Sequence, residues 1–267
     1  MERVIKEELV HHLEKIKFLP KEQFGFRHGK STTTQMIIFQ EHIVKEVSAG
    51  KTIDVIYMDM EKAFDLLTFQ EIISKLKKAK VSGKFLKLLT IFITQRKFLV
   101  KVNKSKSQTT DSTSGVGQGF VLSAILFIIV FTQISEHLNL FKDILHFIFA
   151  DDLKLVISYY INEFDPAILQ NILNELFTFC SEKSITINPT KSVHVQYGYP
   201  NPNAKYFINN AEIERKEVTR DLGIYIKNDL TMSHHIDMIY SSTNSKILST
   251  TFITLFNANA GEKKTHH

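Results

Sequence analysis

Apolar residues recur at helical spacing at Ile5, Leu9, Leu13 and Ile16, and Pro20 ends the run, so the chain opens with an amphipathic helix. The polar loop QFGFRHGKST (23–32) leads into a second helical pattern, TTTQMIIFQEHIVKEV, closed by Ala49 and Gly50. The pattern then changes: in TIDVIYMDM, Ile53, Val55, Ile56 and Tyr57 favour extended chain, which predicts a buried strand with Asp59 at its end. Two helical segments follow, FQEIISKLKKAKV and FLKLLTIFITQR, divided at Ser82 and Gly83, and FLVKVNKSKSQTT predicts a hairpin turning near Asn103 to Lys106. Two short strands flank Asp151 and Asp152 in HFIFADDLKLVIS, and PAILQNILNELFTFC predicts a long helix. ITINPTKSVHVQYG and KYFINNAEIERK read as strands and turns and RDLGIYI as a further strand; MSHHIDMIYSSTNSKILSTTFITLF is weakly helical, and NANAGEKKTHH is a polar tail. Interleaved strands and helices with hairpins predict an α+β fold built on an antiparallel sheet rather than a doubly wound parallel one.

The stretch from Ser112 to Ser135 carries no charge. Its dense part, FVLSAILFIIVF, is short of the ~20 residues that a bilayer requires, and Gly115, Gly117 and Gly119 lie just upstream, so it reads as a buried helix and no membrane is expected. A hydrophobic content of 43% supports a packed globular core. The single cysteine, Cys180, forms no internal disulfide, and MERVIKEELV lacks the apolar core of a secretory signal, which points to the nucleus or cytoplasm. The net charge of +5 suits a polyanionic partner only weakly.

Chemistry concentrates at three carboxylates. If the strands around Asp151 and Asp152 form a hairpin beside the strand ending at Asp59, like charges converge at one sheet edge and demand a cation. Carboxylates combined with water and phosphate oxygens suit Mg²⁺, and two such ions ~3.5–4 Å apart stabilise both oxygens of an in-line phosphoryl displacement. Taken alone, an Asp-Asp pair is more commonly a solvated turn.

Four segments in order, QFGFRHGKST (23–32), YMDMEKAFD (57–65), SGVGQGFVLSAILF (114–127) and FADD (149–152), resemble the reverse transcriptases of non-LTR retrotransposons. That resemblance implies an RNA-directed DNA polymerase using an RNA template, a DNA primer and deoxynucleoside triphosphates, with two Mg²⁺ ions, or Mn²⁺ in their place. It implies a polymerase palm, an antiparallel sheet backed by helices, with partial fingers and a truncated thumb. The expected boundaries are partial fingers over 1–52, palm with inserted fingers elements over 53–228, a thumb stub over 229–256 and the tail over 257–267.

By position, the resemblance makes Asp59, Asp151 and Asp152 the catalytic, metal-binding carboxylates, with Asp152 the more peripheral. Phe64 takes the place of the aromatic that excludes a ribose 2′-hydroxyl. Asp65 is expected to cap a helix. Gly117, Gln118 and Gly119 match the nucleotide-binding loop, and Lys191 in INPTKS (187–192) takes the place of a lysine near the triphosphate. Arg27 and Lys30 are expected at template phosphates, and RDLGIYI (220–226) resembles the hairpin that grips the primer strand, where Gly223 allows close approach of the backbone. His234 and His235 have no partners at zinc-ligand spacing and read as a solvated or capping pair. The chain departs from the family pattern where Gly117 replaces a proline, Phe120 a small residue and Ser123-Ala124 a Gly-Pro. Those departures leave a second reading open, a palm kept only as a nucleic-acid-binding or inert remnant. A third, a metal-dependent nuclease, lacks a lysine or histidine placed as general base within these motifs.

Overall fold

The computed structural model describes residues 1–61, 67–117, 119–200 and 202–244. The chain divides into two compact units, one of Met1–Lys216 and one that starts at Glu217.

In the first unit, helix α1 (Glu2–Lys15) buries Leu9 and Leu13. Helix α2 (Thr32–Ser48) starts at a capping box: the Ser31 hydroxyl accepts the Thr34 N–H at 3.1 Å and Thr34 Oγ1 accepts the Ser31 N–H at 2.8 Å. Such a cap satisfies otherwise orphaned donors and is worth about 0.5–2 kcal/mol. Strand β1 (Thr52–Glu61) follows, then α3 (Phe69–Lys78), which has its own capping box at Thr68 and Glu71, and α4 (Gly83–Thr94). The expected hairpin is present as Lys97–Phe98 paired with Thr110–Asp111 and Lys101–Val102 with Ser105–Lys106, turning through Asn103 at φ 55°.

Helix α5 (Ser123–Leu138) explains the uncharged stretch. Every residue from Ile125 to Ser135 is buried, so the helix is enclosed by protein on all sides and has no face for a charge. No helix among the described residues is long and apolar enough to cross a membrane. Strands β2 (Leu145–Phe149) and β3 (Asp152–Tyr159) form a tight hairpin. Pro166 at the first turn and Asp165, whose carboxylate accepts the Ala167 N–H at 2.9 Å, start α6 (Pro166–Glu182). Strands β4 (Thr186–Tyr197) and β5 (Glu214–Arg215) complete a five-stranded sheet in the order β5-β4-β1-β3-β2, antiparallel except for the β5/β4 pair.

Both faces of this sheet are covered at its centre. On one, Ile56 and Met58 lie level with Leu155 and Leu153 and join the core built with α5 and α6. On the other, the Phe39 ring of α2 meets Tyr57, Phe147 and Tyr197 edge-on at centroid distances of 6.3, 5.7 and 6.4 Å. The buried Lys154 amine lies 4.8 Å from the centre of the same ring. Near the start of β1 the fully buried Asp54 accepts hydrogen bonds from Tyr206 Oη at 2.6 Å, His194 Nε2 at 2.9 Å and Tyr159 Oη at 3.0 Å. Burial and then the Asp54 charge raise both tyrosine hydroxyls above their ordinary range, so they remain donors.

In the second unit, RDLGIYI straddles a turn, as its resemblance to a hairpin implies, instead of forming one strand. Strands β6 (Val218–Asp221) and β7 (Ile224–Lys227) pair across Leu222 and Gly223, at φ 46° and 92°. Two consecutive positive φ values are the requirement of a type I′ hairpin. Residues 233–244 are helical, and the Tyr225 N–H donates to His235 Nδ1 at 3.3 Å.

His146 on β2 is buried 2.8 Å from the Ser135 hydroxyl, and burial, opposed by Glu22, pushes its imidazole down to about 4. Between about pH 6.5 and 4 the unfolded chain therefore binds a proton that the folded chain refuses, and stability falls as pH falls through that window. Urea unfolding at pH 7 and pH 5 should show wild type losing about 2 kcal/mol more than His146→Gln.

Candidate active site

Asp59 lies at the exit end of β1, the one strand of the sheet paired on both sides to long neighbours. Met58 is level with Leu153 of β3, so the next rung brings Asp59 beside Asp152. Phe149 and Asp152 close the β2–β3 hairpin, leaving Ala150 and Asp151 as its two-residue turn. Ala150 stands at φ 58°, a left-handed conformation that a non-glycine residue adopts at a cost of about 1–2 kcal/mol. The three aspartates are thus brought to one end of the sheet, Asp151 half-buried and Asp152 exposed.

The other flank of Asp59 is shaped by an interruption in β4. Tyr57 pairs with Val193, yet Asp59, two residues on, pairs with Asn188, five residues back. The intervening residues fold outward because Pro189 has no N–H to offer and Asn188 Oδ1 substitutes for a ladder partner. It accepts from Thr190 Oγ1 at 2.8 Å, the Thr190 N–H at 3.0 Å and the Lys191 N–H at 3.3 Å, while Ser192 Oγ donates to the Asn188 carbonyl at 2.8 Å. This bulge carries the Lys191 ammonium to 3.4 Å from Asp59 Oδ2.

Burial, and then the Asp59 charge, raise the Asp151 carboxyl above the usual range. A divalent cation between them would relieve both effects. Among the described residues no group of three or more His, Cys, Asp or Glu side chains is placed to hold a metal ion. The donor set is carboxylate oxygen on an open edge, which fits an ion that completes its shell with water and phosphate oxygens.

The glycine segment is anchored independently. The Gly115 N–H donates to the Leu67 carbonyl at 2.7 Å, and Arg96 donates to the carbonyls of Ile93, Ser114 and Gly115. A Cβ at Gly117 would overlap the Phe120 ring, which itself packs edge-on against Phe92 at 6.1 Å. Gly119 has φ 86°. Phe64, Asp65 and Gln118 lie outside the described residues.

Arg27 and Lys30 are engaged within the protein. The Arg27 side chain, 10% exposed, forms a paired bridge to Glu14 at 2.7 and 2.8 Å and donates to the Pro20 carbonyl at 2.5 Å. Lys30 donates to the carbonyls of Lys21 and Gln23, and burial, then Arg27, lower its ammonium to about 8. Gly223 belongs to the second unit.

Sequence reasoning gave no role to Gln23, Gly25, Gln35 or Asn188. The loop at Gln23 runs parallel to β2 at Ile148: the Phe24 N–H donates to the Ile148 carbonyl at 2.8 Å and the Ile148 N–H to the Glu22 carbonyl at 2.9 Å. Gln35 Nε2 adds a third bond, to the Ile148 carbonyl at 3.1 Å. A usable signal was an amide on the otherwise apolar face Met36, Phe39, Ile43 of α2, and a glycine between Phe24 and Phe26.

Residues 1–246 match the profile of the reverse transcriptase (RNA-dependent DNA polymerase) family. The probable RNA-directed DNA polymerase from transposon BS of Drosophila melanogaster is 26% identical over 242 residues, which cover 88% of this chain and 27% of that protein. The RNA-directed DNA polymerase from mobile element jockey of the same fly is 24% identical over 252 residues, covering 92% and 27%. The chain therefore spans 27% of the length of these relatives. Among solved structures, a telomerase from Candida albicans in complex with a fragment of telomeric RNA superposes with a TM-score of 0.65 at 14% identity, over 86% of this chain and 37% of that one. Apo telomerase from Candida tropicalis truncated from its C-terminal domain gives 0.61 at 17% identity, over 86% and 44%. At such identities the likeness bears on the fold alone.

Relief of the left-handed strain should make Ala150→Gly more stable than wild type by roughly 0.5–1 kcal/mol in chemical denaturation. A less stable variant would show that Ala150 does not hold this conformation.

Proposed function

Because the chain belongs to the reverse transcriptase (RNA-dependent DNA polymerase) family, we propose that it carries the catalytic carboxylates of an RNA-directed DNA polymerase of non-LTR retrotransposon origin. It would join deoxynucleoside triphosphates to a DNA primer on an RNA template. The observation that carries this reading is the meeting of Asp59 with the Asp151–Asp152 turn at one sheet end, with Asp59 adding to the raised Asp151 carboxyl.

Enzymes of this family use divalent metals. We assign two ions, Mg²⁺ or Mn²⁺, to Asp59 and Asp151 with Asp152 at the margin; when bound they supply Lewis-acid stabilisation of the attacking and leaving oxygens. Asp59 and Asp151 fix where positive charge can collect, because their own repulsion disfavours an empty site. Lys191 holds a proton at Nζ beside Asp59. As the P–O bond to pyrophosphate breaks, that proton can pass to the departing oxygen. Phe64, five positions after Asp59, we assign to exclusion of the ribose 2′-hydroxyl, and the glycines of SGVGQG to close approach of backbone to the nucleotide. Gly223 we assign to the primer backbone. Arg27 and Lys30, tied to Glu14 and to loop carbonyls, can act on a template phosphate by shaping the loop that carries them.

Primer extension on an RNA template with Mg²⁺ and deoxynucleotides tests this reading. Wild type should extend, Asp151→Asn and Asp59→Asn should not, and all three should bind template–primer alike. Binding without extension by wild type would instead make the chain a nucleic-acid-binding remnant. Phe64→Ala should raise ribonucleotide incorporation relative to deoxynucleotide; unchanged sugar choice would remove that assignment.

A further inference from the structure

We infer that Gln23 is a positioning residue for the carboxylate turn, and that Gly25 provides the space it requires; the inference rests on the polymerase reading above. Gln23 is 2% exposed, and its side-chain Oε1 accepts two backbone donors, the Gly25 N–H at 2.8 Å and the Ala150 N–H at 3.1 Å. Both lone pairs of that oxygen are thereby used. One bond folds the loop on itself and the other reaches the residue that precedes Asp151.

Three further observations point the same way. Ala150 is strained, so the turn needs an external partner to keep its conformation. Strand β2 is the edge of the sheet, and the Gln23 loop occupies that edge at Ile148, leaving the hairpin braced from outside as well as by β3. Gly25 sits so close to the turn that a Cβ there would overlap the Ala150 nitrogen and lie 3.1 Å from its Cα. No side chain fits between loop and turn without displacing one of them.

The functional consequence follows from tolerance. Shared carboxylates must be held within ~0.5 Å of their productive positions, and outer partners that orient them are worth about 10–100-fold in metal affinity or activity. Gln23 touches neither substrate nor reacting atoms; it acts through Ala150 on the direction of Asp151 and Asp152. A role limited to covering the sheet edge would be met by the backbone bonds at Ile148 alone.

The test compares wild type with Gln23→Met, which keeps length but removes the acceptor, and Gln23→Glu, which restores an acceptor oxygen. In primer extension, Gln23→Met should lower kcat roughly 10–100-fold with KM for the nucleotide unchanged, and Gln23→Glu should recover most of the loss. In hydrogen exchange, the Ala150 and Gly25 amides should be protected in wild type and lose protection in Gln23→Met, while β1 and β4 amides keep theirs. Wild-type activity in Gln23→Met overturns the proposal. So does equal impairment of both variants in step with their loss of Tm, which would mark a structural role. A wild-type Ala150 amide that exchanges like an open loop overturns it without any variant. If wild type extends no primer, the polymerase reading fails, and the exchange measurement still decides whether Gln23 sets the turn.

Discussion

Everything at the candidate site depends on the register in which β1 is held from both sides. Side chains alternate along a strand, so a slip of one residue would bury Asp59 against Leu153 and Leu155 and turn Met58 to the opposite face. Two devices oppose such a slip. On one side, seven rungs tie β1 to β3 from Thr52↔Tyr159 to Met58↔Leu153. On the other, the Asn188 bulge is a local misfit in β4 that accommodates Asp59 at one place only. The fully buried Asp54 adds a polar lock further along the strand, since moving it by one residue would strip a buried carboxylate of three donors. A charge buried without such partners costs several kcal/mol, far above what any single apolar rung returns.

The same strand therefore holds two aspartates with opposite fates. Asp54 is enclosed and satisfied by Tyr159, Tyr206 and His194, and it contributes specificity of pairing. Asp59 is half-open, shares its charge with Lys191 and raises the carboxyl of Asp151. Burial and partner count separate them, because both sit on a strand of almost uniform apolar character.

Much of this architecture could be read from the sequence where the signal was local. Helical periodicity located α1, α2 and α6, the absence of charge marked α5 as enclosed, and Asn103 marked the hairpin turn. The strand ending at Asp59 and the strands flanking Asp151 were legible from β-branched and aromatic runs. What escaped was contact between distant parts of the chain. Gln23 finds its acceptor role at Ala150, and Asp54 finds Tyr206, across separations that no window of periodicity spans. The bulge at Asn188 is readable as a turn signal in INPTKS, but its placement opposite Asp59 depends on pairing. By composition Ile224 and Ile226 make RDLGIYI read as one strand, and only its resemblance to a hairpin points to the reversal at Leu222-Gly223.

The packing of Phe120 over Gly117 has a consequence for which substitutions this loop can take. Two of the positions at which it departs from the pattern it resembles are not independent: a Cβ at Gly117 would overlap the Phe120 ring as placed, so a proline there requires that half-exposed ring to move. Restoring the proline alone would collide with the ring, whereas shrinking Phe120 alone would leave Gly117 flexible and uncovered. Gly117 and Phe120 thus behave as one packed pair, and a larger residue at the first position calls for a smaller or displaced side chain at the second.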